Sequence, residues 1–144
     1  MDTKEFKYLF NNISKNNGFE SAFGGWFKES SECIAVLELQ KSNFGKKYYL
    51  NIKIFIQGAF NRTYERSKEL VQNPMGHITN QIRDEDVLNL GSTMSVETRK
   101  ENLENLFNKI IVPYTETALT KLGIREMVKK GNIFLPPAVK DELA

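Results

Sequence analysis

The chain has 144 residues, a length that fits one domain built around a single hydrophobic core. Its 20 Lys and Arg and 18 Asp and Glu leave a net charge of +2, and 40% of the residues are hydrophobic. This composition is close to that of an average globular protein, and it excludes a disordered, collagen-like or polycationic chain.

The counts of cysteine and histidine and the lengths of the apolar runs exclude further classes of protein. One cysteine and one histidine cannot make an intrachain disulfide, a thiolate zinc site or a histidine-rich metal site, so we expect no metal and no cofactor. No apolar run approaches the ~20 residues of a membrane helix, and the N-terminal residues are polar with mixed charge. We therefore expect a cytoplasmic protein with no membrane contact.

The first predicted element is a helix over residues 3–16. Phe6, Leu9, Phe10 and Ile13 fall on one stripe at helical spacing. Asp2 or Thr3 can cap its start, and the Asn-Asn-Gly run at 16–18 can end it.

Strands follow from residue 19, where aromatic residues and glycine replace the helical pattern. Residues 33–41 are apolar on both faces in their first half and then alternate, and residues 48–57 alternate between a core face and a semi-polar face. The short connector between them implies antiparallel neighbours. Residues 77–83 alternate again and predict one more strand.

Residues 58–76 have little periodicity and exceed the usual length of a connection inside a domain. We expect a mobile flap there, with one helical turn within residues 64–71.

The helical period returns at residue 95. An apolar stripe that includes Leu106, Ile110 and Ile111 predicts a long helix from about 95 to 122, capped by Ser95 or Thr98 and kinked or restarted at Pro113. We expect Leu106 and Ile110 of this helix, and Ile54 of the strand at 48–57, to be core residues. A shorter helix is expected at 124–130, and a last helical turn at 138–143.

Together these elements predict an α+β fold, in which an antiparallel meander of about four to five strands is packed by the N-terminal helix and the C-terminal helices. We expect residues 1–144 to form one domain, with the C-terminal helices at about 95–130.

Several short motifs resemble a family of bacterial proteins known as domain-of-unknown-function family 4304. The most specific is Leu-Gln-Lys-Ser at 39–42, which is followed after a glycine-bearing turn by Tyr-Leu-Asn at 49–51. Gly-Phe at 18–19, Trp-Phe-Lys at 26–28 and His-Ile at 77–78 occur in the same order, so the resemblance covers residues 18–90. It implies an α+β domain with an antiparallel sheet, and it implies no activity, cofactor or catalytic residue.

Polar residues on the predicted strands suggest a binding groove. If the strands at 33, 48 and 77 are neighbours, Gln40, Asn51, His77 and Arg83 converge beneath the flap, with Ser42 and Lys53 nearby. Amide and guanidinium groups can bind a small anionic or polar ligand, or a segment of a protein partner. The alternative is that these residues satisfy the backbone and that Arg83 pairs with Asp84 or Glu85.

Catalysis has few candidates. His77 could act as a general base, and Glu38 could have a raised pKa among apolar neighbours, which leaves a weak hydrolase as one alternative. No nucleophile motif accompanies them. The favoured interpretation is therefore a non-enzymatic binding or interaction module.

A second alternative is nucleic-acid binding. Residues 41–68 hold seven Lys or Arg against one acid, interleaved with six aromatic residues. The RNA-recognition signature is missing and the overall charge is nearly balanced, so a charged rim around the sheet is the simpler interpretation.

Overall fold

Five antiparallel strands form one open sheet in the order β1-β2-β3-β4-β5 in the computed structural model, which describes residues 1–131 and 133–144. The strands are β1 (Glu20–Ala22), β2 (Gly25–Glu29), β3 (Cys33–Lys41), β4 (Tyr48–Ile56) and β5 (Ile78–Ile82). The helices are α1 (Thr3–Asn16), α2 (Lys68–Gln72), α3 (Val96–Leu106), α4 (Val112–Ala118), α5 (Lys121–Lys129) and α6 (Pro137–Leu143). The predicted α+β fold with an antiparallel meander is confirmed.

The centre of the sheet is the β3–β4 pair, which runs from Cys33 opposite Ile56 to Lys41 opposite Tyr48. β5 pairs with the other side of β4 from Ile54 opposite Ile78 to Leu50 opposite Ile82. Gly76 lets the chain pass close to β4 just before β5 begins, because a Cβ at this position would lie 3.0 Å from the backbone N and O of Ile54. This register fixes which side chains share a face.

The first face of the sheet carries the main core. Phe6, Phe10 and Ile13 of α1 pack with Leu103 and Phe107 against the inward residues of β3 and β4. Asp2 caps α1 by accepting a hydrogen bond from the backbone N–H of Glu5 at 2.8 Å, as one of the two predicted capping residues. Both helix bounds agree with the prediction, because the stripe and the cap are local signals.

The long C-terminal helix differs from its prediction in two ways. Between α3 and α4 a π turn at Phe107–Ile111 widens the helix, with the Val112 N–H bonded to the carbonyl of Phe107. The next residue is Pro113, which has no N–H to donate. The helix then ends at Ala118 rather than 122, because Thr120 caps the separate helix α5.

The wider turn also changes which residue faces the core. Ile111 is fully buried, whereas Ile110 is 39% exposed. The prediction that Ile110 is a core residue is wrong, since a turn closed by i→i+5 bonds rotates it away from the face of Phe107.

Ala59 packs in the main core, and residues 64–71 pack on the second face of the sheet rather than forming a flap above an open groove. Tyr64, Leu70 and Val71 are buried there in a second apolar cluster that includes Val36 and Phe55. The helical turn expected at 64–71 is α2, which Ser67 caps. Burial of this apolar surface explains why the semi-polar side of β4 is covered in its second half.

The remaining helices, α5 and α6, pack against the main core on the first face of the sheet. α5 begins three residues before the predicted position, and α6 forms where a last helical turn was expected, with Val139 and Leu143 in the main core. Within the part of the chain that the structure describes, no helix has both the length and the apolar character needed to cross a membrane.

Candidate binding site on the sheet

The second face of the sheet is covered at one end and open at the other. Residues 64–76 cover the end at Ile34, Val36 and Phe55, while the opposite end carries polar side chains from three adjacent strands. We call this surface the polar face and define it by its residues Glu38, Gln40, Tyr49, Asn51, Gln81 and Arg83. Glu38, Asn51 and Gln81 lie directly across the strands from one another, and Gln40 lies opposite Tyr49.

Amide groups connect the three strands on the polar face. The Asn51 side-chain nitrogen donates to Gln40 at 2.9 Å and to Glu38 at 3.1 Å. Gln81 donates to the Asn51 side-chain oxygen at 2.8 Å and accepts from the Nε of Arg83. Each side chain is therefore held in one orientation by its neighbours, as a preorganised site requires.

Arg83 follows the last residue of β5 and stacks on the ring of Tyr49, with its guanidinium carbon 4.6 Å from the ring centroid. The Tyr49 hydroxyl lies 3.2 Å from the Ser42 hydroxyl, which fixes the ring. Lys47 adds a second positive charge 5.9 Å from the same centroid. Among the residues that the structure describes, the two terminal nitrogens of Arg83 have no hydrogen-bond partner, and the side chain is exposed.

A buried ion pair anchors the covered edge of the polar face. The Lys53 ammonium is fully buried and lies 2.7 Å from a carboxylate oxygen of Glu38 and 2.6 Å from the carbonyl of Val71. Glu38 thereby joins the covering segment to the amide network, because the same oxygen accepts from Asn51.

The structure brings together Gln40, Asn51 and Arg83, three of the four residues predicted to line a groove. His77 lies apart from these three residues. It is four residues from Gln81 along the chain, which places the two residues about 13 Å apart at the rise of a β-strand. Two residues of the site, Tyr49 and Gln81, were not among the predicted candidates. The alternation of β4 and β5 could have placed both on this face, since they flank Asn51 and Arg83 at period two.

His77 instead packs in an aromatic cluster at the far end of β5. Its ring centroid lies 4.9 Å from that of Tyr64 and 5.3 Å from those of Phe55 and Phe60. Nδ1 accepts from the backbone N–H of Ile56 at 2.9 Å, which leaves Nε2 to donate to the Tyr64 hydroxyl at 3.1 Å. Both ring nitrogens form hydrogen bonds, so His77 has no free lone pair with which to act as a general base.

His77 makes the stability of the fold pH-dependent. Burial, aided by the positive charge of Arg62, lowers the pKa of His77 from 6.5 to about 4. The unfolded chain therefore binds an extra proton between pH 6.5 and 4, so this contribution to stability is complete above pH 6.5 and is lost as the pH falls to 4. Because the ring is partly exposed, we expect a loss of about 1–2 kcal/mol.

Urea denaturation of the wild type and of His77→Gln at pH 7, 6 and 5 checks this prediction. The glutamine does not titrate, so the wild type should lose more stability than the variant over this range. Parallel pH profiles for the two proteins would contradict the assignment.

The remaining catalytic candidate, Glu38, and the single cysteine also have structural roles. Glu38 is paired with Lys53, as described above. Cys33 is fully buried, and burial with the adjacent Glu32 carboxylate raises the pKa of its thiol to about 12. Within the described residues, no group of three or more His, Cys, Asp or Glu is placed to hold a metal ion.

The basic and aromatic segment at 41–68 is divided between the core and the surface. Tyr48, Lys53, Phe55 and Tyr64 are buried. Arg62 pairs with Glu69 at 2.9 Å, and Arg66 bridges Glu20 and Glu29 at 3.1 and 3.3 Å. The segment therefore does not present its aromatic rings and cations as one continuous platform.

In a comparison with known protein families, the chain matches the domain of unknown function DUF4304 over residues 10–117. This match spans most of the chain, and the chain belongs to that family. It extends beyond the residues 18–90 that carry the resemblance in the sequence. No curated protein matches the chain. No solved structure matches it.

Proposed function

We propose that this member of the DUF4304 family is a non-enzymatic binding module whose polar face receives a ligand that carries a carboxylate or phosphate. The ligand is a small polar molecule or an anionic segment of a protein partner. Arg83 binds its negative charge and the exposed Gln40 side chain orients its other polar groups, while the buried Asn51 holds Gln40 and Gln81 in place.

The proposal rests on the way in which Gln81 and Tyr49 hold the Arg83 guanidinium. The Arg83 Nε bond to Gln81 and the contact with the Tyr49 ring hold the guanidinium in place, and among the described residues its two outer nitrogens have no hydrogen-bond partner. A guanidinium held in this way can donate two parallel hydrogen bonds to a carboxylate or phosphate with little loss of side-chain entropy.

The electrostatics of the surrounding surface support an anion. Lys47 lies near Tyr49 on this face, whereas Lys41 and Lys46 lie beside Tyr48 and the start of α1 on the other face. Asp84 is 3.9 Å from Lys47, and this surface ion pair is weak because the Asp84 side chain is 83% exposed. The polar face thus combines one oriented guanidinium with a second cation, Lys47, near the same tyrosine ring.

The proposal is tested by NMR titration of ¹⁵N-labelled protein with inorganic phosphate, citrate and an acidic hexapeptide. At least one probe should shift the amides of residues 38–41, 49–51 and 81–83. Arg83→Gln should weaken that binding about tenfold to a hundredfold, because a hydrogen bond to a charged group contributes about 1.5–3 kcal/mol.

Arg62→Gln is the matched control. Arg62 also stacks on a tyrosine, with its guanidinium carbon 5.0 Å from the Tyr64 centroid, but it is already paired with Glu69. It should leave binding unchanged. Equal loss in both variants would indicate non-specific attraction to net charge, and no shift with any probe would sink the proposal.

The proposal also places the protein in the bacterial cytoplasm and treats residues 1–144 as one domain. A single buried thiol suits a reducing compartment. Packing of α1 and of the helices after residue 95 on the same sheet face supports one folding unit.

A further inference from the structure

The free edge of β5 is the second feature of the sheet that suits a partner. Among the residues that the structure describes, β5 pairs only with β4, and the other edge strand, β1, has three residues. Within the part of the chain that the structure describes, the backbone of Thr79, Asn80 and Gln81 makes no hydrogen bond outside the pairing with β4. In an antiparallel strand, alternate residues direct their N–H and C=O groups away from the existing neighbour, so β5 has outward groups without a partner.

β5 also lacks two of the features that commonly protect an edge strand, which are charged side chains and proline. Its sequence, Ile-Thr-Asn-Gln-Ile, contains no charged residue and no proline. At β1, by contrast, Arg66 bridges Glu20 of the edge strand to Glu29 of β2. An edge that is open and uncharged can accept another strand.

The sequence of β5 is symmetric in character about Asn80. If two copies of β5 pair antiparallel with Asn80 at the centre, Ile78 lies opposite Ile82 and Thr79 lies opposite Gln81. Ile78 and Ile82 face the helix-covered side, since they pair with Ile54 and Leu50, while Thr79 and Gln81 face the open side. Apolar residues therefore meet apolar residues on one face and polar residues meet polar residues on the other, which is the self-complementarity that a two-fold interface needs.

We propose that the protein forms a two-fold dimer by antiparallel pairing of β5 with β5 of a second copy. The two sheets then become one sheet of ten strands. The two polar faces lie side by side on it, with Gln81 of each copy beside Thr79 of the other. The dimer doubles the number of oriented arginines on one surface, which suits a ligand or partner with repeated negative charges.

The interface involves one short strand from each copy, and Ile78 and Ile82 are already 4% and 9% exposed in one chain. Little further apolar area is buried, so the dimer is expected to dissociate on dilution. Sedimentation velocity over a range of protein concentrations should show a shift from the mass of one chain toward twice that mass. Hydrogen exchange of the β5 amides should slow over the same range.

Charge variants test the pairing directly. In Thr79→Lys/Gln81→Lys, each lysine faces a lysine of the second copy, so the dissociation constant should rise on the order of tenfold or more. In Thr79→Glu/Gln81→Glu, each glutamate faces a glutamate of the second copy, so the dissociation constant should rise for the same reason. An equimolar mixture should recover the dimer, because each lysine then faces a glutamate.

Tyr8→Lys is the control for dimers formed elsewhere. Tyr8 is 70% exposed at an apolar groove between α1 and the start of α3, and it is remote from β5 in the fold. It should not change the dissociation constant. A single-chain mass at all concentrations, dimers that Tyr8→Lys disrupts and the β5 variants do not, or β5 amides that slow only when a different protein is added would each overturn the proposal.

Discussion

Replacing Lys53 by alanine should lower the free energy of unfolding by about 3–5 kcal/mol, although lysine is usually a surface residue. The Lys53 ammonium is fully buried, and it is the donor to both the Glu38 carboxylate and the Val71 carbonyl. Without it, the carboxylate is left in a site where its side chain is 25% exposed, and a covered carbonyl loses its donor.

The double substitution Lys53→Met/Glu38→Gln separates the loss of a partner from the loss of the pair. Methionine fills the volume of the lysine stem, and glutamine keeps an oxygen for Asn51. Exchanging a buried ion pair for uncharged groups of similar size is often nearly neutral. We therefore expect the double variant to be clearly more stable than Lys53→Ala.

Equilibrium urea denaturation provides the measurement, with Lys68→Ala as the control. Lys68 is exposed at the first position of α2, so its loss should cost less than about 0.5 kcal/mol. A cost for Lys53→Ala no greater than that for Lys68→Ala would show that the pair does not hold the covering segment to the sheet.

The elements that the sequence predicts well have signals contained in their own residues. α1 combines an apolar stripe with a cap, and β3 and β4 have the hydrophobic pattern of strands. The bounds of these elements follow without knowledge of tertiary contacts, since periodicity and capping act over a few residues. The antiparallel order follows in the same way from the short connectors.

The covering of the second face could not be predicted from the same signals. Lys53 and Asn51 alternate with apolar residues, and that pattern is also typical of a strand with one side in water. Lys53 is buried only because Glu38, on another strand, and Val71, in the segment 58–76, supply its partners. The burial of the Lys53 charge therefore depends on partners that are distant in the sequence.

The candidate site was predicted in part for a similar reason. Alternation placed Gln40, Asn51 and Arg83 on one side of their strands, and the strand order brought them together. Polarity does not specify position along a strand, so His77 was grouped with them although it lies at the other end of β5. The stack of Arg83 on Tyr49 required the register, which no single strand encodes.

The last prediction compares two isoleucines that the sequence treats alike. Ile54 lies on the central strand β4 and is fully buried in the main core, whereas Ile110 lies in the π turn and is 39% exposed. Ile54→Ala should cost about 2–5 kcal/mol, because removal of buried methyl groups loses transfer free energy and leaves a cavity. Ile110→Ala should cost about 1 kcal/mol or less.

Denaturation midpoints of the two variants measure the difference and also test the π turn. If the helix continued as a regular α-helix through residue 110, Ile110 would lie nearer the stripe of Leu103 and Phe107, and its truncation would be costly as well. Similar losses for the two variants would therefore contradict the wide turn that precedes Pro113. A large loss confined to Ile54→Ala would support it, since the two substitutions remove the same atoms and differ only in how the fold places them.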